Sequence, residues 1–285
     1  MGNMFRHAVC VISTLLILTF SFLVSQSHSQ PRAFSEPGSY INYAYATWIG
    51  TGYYTVGNQD VFIFRVPLTS YTLREATEEQ IGYRLLFPLT LGFHNFDGFD
   101  NLDILPESVA TVALVPGLEM SIPVLKNWHL RPFGQIGYGN DFESDKGAWI
   151  FGAGVKSLAV FPWDQWELQL GNTLMAASQN SSAGFDNGFS MFEIGLNVKN
   201  PWDFNFLDRD SHIDTFYVYT HIMNDMDFYE LGREPDEVGR LHQLGATLVP
   251  DRQYKIWFVK LKGMGLSYLF GDELKAIKLH TGFPF

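Results

Sequence analysis

Phe192-Glu193-Ile194-Gly195-Leu196-Asn197-Val198-Lys199 alternates apolar and polar residues without a break. A period of two places Phe192, Ile194, Leu196 and Val198 on one face and Glu193, Gly195, Asn197 and Lys199 on the other, the signature of a strand with one apolar and one polar side. The pattern recurs around this stretch. Trp149, Phe151, Ala153 and Val155 stand against Ile150, Gly152, Gly154 and Lys156, and Trp166, Leu168 and Leu170 stand against Glu167, Gln169 and Gly171. Val112, Leu114, Leu118, Met120 and Ile122 likewise oppose Thr111, Ala113, Gly117, Glu119 and Ser121. No long stretch after residue 42 carries the i, i+3, i+4 apolar spacing of a helix.

Twelve strand-like segments follow from this reading: 42–56, 60–73, 81–95, 108–122, 128–139, 147–159, 166–176, 188–199, 213–223, 238–249, 255–270 and 275–285. The even number and the lengths, near the ~9–11 residues that cross a bilayer obliquely, predict an all-β, antiparallel, up-and-down transmembrane barrel. Short connections follow the fourth, sixth and tenth segments, and mostly longer ones follow the third, fifth, seventh and ninth. The connections after the second and eighth segments are longer than this rule predicts. Connections after odd segments hold about 16 of the 30 acids, among them Asp97, Asp100, Asp103, Glu107, Asp141, Glu143, Asp145, Asp225, Asp227 and Glu230. Trp128, Trp163, Trp166, Trp202 and Trp257 fall near the opposite strand ends, where an interfacial aromatic girdle belongs. A secreted soluble β-sandwich or lipocalin-like barrel is the competing reading. Its packed interior would tolerate few of the Lys, Glu and His residues on the polar face, whereas a water-lined lumen accepts them.

Composition narrows the function classes. Aromatic residues reach 16% and charged residues only 17%, which excludes disorder. No apolar run in the body of the chain approaches the ~18 residues of a spanning helix. The formal charge of -11 argues against nucleic acid as a partner, because phosphate binding asks for a basic surface. Residues 1–29 read as a cleaved export signal: Arg6 and His7, an apolar stretch from Val9 to Val24, then Ser27-His28-Ser29. Cys10, the only cysteine, leaves with it. A proline-containing lead-in, 30–41, then precedes the barrel at 42–285, and the expected location is the bacterial outer membrane.

The chain closes on Ile277-Lys278-Leu279-His280-Thr281-Gly282-Phe283-Pro284-Phe285. Ile277, Leu279, Phe283 and Phe285 alternate with Lys278, His280 and Gly282, and Phe283 and Phe285 resemble the terminal signal that barrel assembly machinery recognises in outer-membrane proteins. An edge strand with an exposed aromatic row can pair with that machinery before the barrel closes. Together with Gly265-Leu266-Ser267-Tyr268-Leu269-Phe270-Gly271-Asp272, this ending resembles the last hairpin of the solitary outer-membrane autotransporter-type barrel family. The resemblance implies a twelve-stranded translocator-like barrel with no passenger. Only about a dozen residues separate the cleavage site from the first segment, so self-secretion is not expected. The two prolines in 30–45 make a pore-threading helix hard to place.

Glu119, Arg131, Lys156, Glu167 and Glu193 are the expected lumen-facing charges, forming either a salt-bridged plug or a polar channel lining. The histidines carry no His-x-Ser arrangement with following Asn and Gly of the kind barrel phospholipases show, so the chain is expected not to be an enzyme. No cofactor and no resident metal are expected. Asp97, Asp100, Asn101 and Asp103 offer hard oxygen ligands to a divalent cation, but an acidic solvated loop accounts for them equally well. The expected role is a monomeric structural or surface-interaction protein contacting outer-membrane lipid and lipopolysaccharide, with divalent cations at the acidic loops. The alternatives are a passive small-solute channel and a lipid hydrolase built from His94 with Ser178 or Ser181.

Overall fold

The computed structural model describes residues 43–285 except 57–58, 67–69, 94–109, 143–145, 182–185, 201, 207–208, 229–235, 253, 257–258 and 273. The export signal, the lead-in, His94, Trp257 and the Asp97–Asp103 cluster lie outside the described residues. A short helix, α1 (Tyr43–Ile49), comes first. There follow β1 (Thr51–Val56), β2 (Gln59–Arg65), β3 (Ser70–Arg74), β4 (Gly82–Leu86), β5 (Leu89–Phe93), β6 (Thr111–Leu114) and β7 (Gly117–Leu125). Next come β8 (Trp128–Asp141), β9 (Lys146–Trp163), β10 (Trp166–Ser181), β11 (Asp186–Lys199), β12 (Phe204–Phe206) and β13 (Arg209–Phe228). β14 (Asp236–Pro250), β15 (Tyr254–Ile256), β16 (Val259–Leu261), β17 (Met264–Gly271) and β18 (Leu274–His280) complete the chain.

Twelve antiparallel staves close into a barrel: β1, β2 with β3, β4 with β5, β6 with β7, then β8, β9, β10, β11, β13, β14, β17 and β18. Closure pairs β1 with β18 from Thr51↔Leu279 to Val56↔Leu274. Prolines mark two of the divided staves, Pro88 between β4 and β5 and Pro116 between β6 and β7. A proline cannot donate to the ladder. The Pro88 and Pro116 carbonyls still accept, from Val115 N at 3.1 Å and Ile136 N at 2.9 Å, so each stave stays joined to its neighbour across the break.

Alternation sorts the side chains as the sequence predicts. Ile136, Phe151, Leu196, Leu244, Leu266, Ile277 and Leu279 are exposed on the outer wall, while the intervening Gln135, Gly152, Asn197, Gln243 and Ser267 are buried on the inner one. Aromatic residues bound this apolar band. Tyr138 and Trp149 pack edge to face at one end (5.5 Å), and Trp166 and Trp202 do so at the other (6.1 Å). Trp128 donates its Nε1–H to Ser157 Oγ at 2.8 Å, which satisfies the indole's polar edge on the outer wall. The end that holds the connections 126–127 and 164–165 is called here the turn end, and the opposite one the loop end. At the loop end, β17 and β18 meet in a turn where Asp272 accepts the Gly239 and Arg240 amides at 2.8 and 2.7 Å. Partial burial opposes ionisation there, but these amide bonds outweigh it and hold the Asp272 carboxyl below its ordinary value.

Three segments depart from the expected strands. The segment expected over 42–56 is a helix over Tyr43–Ile49, because the edges that β1 shares with its neighbours begin only at Thr51. Gly50 (φ 90°) ends that helix, and Tyr54 Oη donates to the Ile49 and Gly50 carbonyls at 2.8 and 3.0 Å, satisfying groups a helix end leaves open. The segment expected over 255–270 joins the barrel only from Met264, since its partner β14 ends at Pro250. Before it, β15 and β16 pair with each other as a separate hairpin. The last segment stops at His280. Beyond it neither neighbour offers a paired residue, and Gly282 (φ 152°) redirects the chain.

Candidate functional site

The lumen is filled in tiers. Toward the loop end the inner wall is apolar: Tyr54, Ile150, Met175, Phe189, Met191, Ile222, Val238 and Leu241 form one buried cluster, with Ala46, Trp48 and Ile49 of α1 packed against it. Trp48 lies over the bare backbone of Gly152, where a Cβ would strike the indole. It meets Phe189 edge to face at 6.5 Å. Both wall positions face inward, so α1 sits inside the barrel. A helix at the lumen is thus present, in the seven residues directly before the first stave.

The middle tier is charged. Glu119, on the inward face of β7, is 4% exposed and is ion-paired with Arg84 across the β4–β7 register. Arg131 and Lys156 are cross-strand partners on β8 and β9. Lys156 Nζ stands 5.8 Å from the centre of the Phe133 ring. Glu193 accepts from Thr220 Oγ1 at 3.2 Å. Lys278 donates to Gln243 Oε1 at 3.0 Å, and Gln243 donates to Ser267 Oγ at 2.8 Å. Arg65 completes the tier at the end of β2, with its Nε buried and without a partner among the described residues.

Toward the turn end a second polar tier is balanced within itself. Gln169 donates to Glu167 at 2.7 Å and accepts from Asn197 at 3.2 Å. Asn197 also reaches Asp214 at 3.4 Å, and His212 pairs with Asp214 at 3.4 Å. Across this tier folds the C-terminal tail. Phe285 lies against Gly171 and Gly195, and Phe283 touches Gly195 as well, so the glycines provide the room these rings occupy. Phe283 packs on Phe216 (5.8 Å) and on Phe285 (4.8 Å), and His280 packs on Phe216 (5.0 Å).

All five charges chosen from the alternation therefore point inward. Glu119, Arg131, Lys156 and Glu193 share the middle tier, and Glu167 stands one tier lower. Arg65 and Arg84 belong with them, although their segments alternate poorly in the sequence. Lys278, whose segment alternates cleanly, belongs with them too. Phe283 and Phe285 are placed differently from the expectation: they leave the ladder and turn into the lumen instead of continuing the outer apolar row of Ile277 and Leu279.

The outer wall carries a hydrogen-bonded tyrosine–histidine pair in its apolar band. Tyr217 Oη and His242 Nδ1 lie 2.7 Å apart, and Tyr219 (5.3 Å) and Phe270 (5.5 Å) pack on the imidazole. His242 is level with Phe270, one residue short of the end of β17, which places it near the loop-end rim of the barrel's shortest wall. Two residues nearer that end, His221 and Arg240 are cross-strand partners on the same outer face.

No protein family matches the chain, so the resemblance to the autotransporter-type family is not shown. No curated protein matches it either. Among solved structures it is similar to LpxR from Salmonella typhimurium, with a TM-score of 0.40 and 10% identity over 80% of this chain and 90% of that one. The expectation that the chain is not an enzyme is withdrawn.

Proposed function

We propose that the protein is exported to the bacterial outer membrane and works there through its lipid-facing wall and its ends, as a barrel whose lumen is structural core. The observation that carries this reading is the filled lumen inside an apolar, aromatic-bounded exterior. α1 closes one side of the charged tier and the C-terminal tail the other, which disfavours passive solute passage. The first 29 residues serve as the export signal, and the acidic loop-end connections contact lipopolysaccharide and its bridging divalent ions. Expression in a Gram-negative host followed by membrane separation tests the placement. The chain is expected in the outer-membrane fraction with heat-modifiable mobility, and recovery in the soluble periplasm would overturn it.

A lipid acyl-ester hydrolase is the second reading, and the Tyr217–His242 pair favours it. An ionisable side chain on a lipid-facing wall is costly and is rarely kept without a use. In the tautomer whose Nδ1–H donates to Tyr217 Oη, Nε2 of His242 is the unprotonated nitrogen and can act as a base on water at the rim. Free fatty acid released from phospholipid or lipid A by the purified barrel, and lost in His242→Asn with folding intact, would support this reading. Absence of release from both lipids would remove it.

A further inference from the structure

We infer that the middle tier of the lumen is a binding site for one small oxyanion of the phosphate class. Five cationic side chains, Arg65, Arg84, Arg131, Lys156 and Lys278, face this tier with two carboxylates, Glu119 and Glu193. They form one electrostatic cluster. Lys156 feels Glu119, Arg65, Glu193 and Arg84; Lys278 feels Glu193 and Arg65; Arg131 feels Glu119 and Arg84. Of these five cations only Arg84 has an ion pair among the described residues. Lys278 rests on an amide and Lys156 on the Phe133 ring, and Arg65 Nε has no acceptor among the described residues. The acids one tier lower do not supply the balance, because Glu167 and Asp214 are the cross-strand neighbours of Lys199, and Asp214 also pairs with His212.

Three unbalanced positive charges on the inner wall of a barrel are unfavourable unless an anion joins them. Several guanidinium groups with N–H bonds to spare suit the multiple oxygens of an oxyanion better than a single-point halide. The source is a free ion and not a lipid headgroup, since α1 packs on the inner wall on one side of the tier and the C-terminal tail on the other. The inference is independent of what the outer wall does.

The test is isothermal titration of the detergent-purified full chain with inorganic phosphate, with sulfate and chloride as comparison arms. Phosphate should bind saturably at about one per chain and raise the unfolding midpoint. Lys156→Gln should weaken binding by about tenfold, in line with the loss of one close charge, and Lys278→Gln serves if that variant does not fold. Glu193→Gln should tighten it several-fold, a gain that misfolding cannot imitate. Absence of saturable binding, equal affinity in every variant, or chloride binding as tightly as phosphate would overturn the assignment.

Discussion

Trp48→Ala is expected to lower the unfolding free energy of the barrel by about 3 kcal/mol, the lower part of the range for truncating a large aromatic in a packed core. The indole is the contact through which α1 enters the apolar tier, lying over Gly152 and edge-on to Phe189. Its removal leaves a cavity lined by side chains already fixed in the inner wall, which cannot collapse to fill it. Gly152→Val approaches the same contact from the wall and should displace the helix by occupying the indole's place. Urea unfolding of the barrel in lipid vesicles measures both. Midpoints unchanged in both variants would mean that α1 does not pack in the lumen.

Glu119→Gln is expected to cost a similar amount, about 3 kcal/mol, for an electrostatic reason. Removing one member of a buried ion pair leaves the partner uncompensated, a loss typically of ~3–5 kcal/mol. The lower figure applies because Arg84 keeps 36% of its side chain exposed. The substitution preserves shape and hydrogen-bonding capacity, so the effect isolates charge. It also enlarges the positive excess of the middle tier, and added phosphate should recover part of the lost stability. An E119Q barrel as stable as the parent would show that the tier is solvated well enough to need no internal carboxylate.

The barrel was legible in the sequence because strand periodicity is local. Each residue of Phe192–Lys199 declares its side by its own polarity, and twelve such segments at opposite-facing turns leave little choice of architecture. What was not legible depends on contacts between distant segments. Tyr43–Ile49 is aromatic enough to pass for strand, and only the absence of a free edge beyond Thr51 makes it a helix. Phe283 and Phe285 keep the alternation of Ile277 and Leu279 on paper, yet the ladder that would hold them outward ends at His280. The glycines that receive their rings, Gly171 and Gly195, lie some ninety to over one hundred residues away in the chain.

The same limit governs the site. Glu119, Arg131, Lys156 and Glu193 could be chosen as inward charges because their strands alternate cleanly. Arg65 and Arg84 sit where divided staves blur the period, and their membership of the tier follows from register, as in Arg84↔Glu119. Ile150, Met175, Met191 and Ile222 run against the expectation of a water-lined interior. Their burial is explained once a helix is found to cover them.

Single-channel recording in a planar bilayer tests the filled lumen most directly. The full chain, with insertion verified by the heat-modifiable mobility of the folded barrel, is expected to give no discrete current steps. Reproducible steps from the inserted, unaltered protein would contradict the account and show that a continuous aqueous path passes α1, the charged tier and the C-terminal tail.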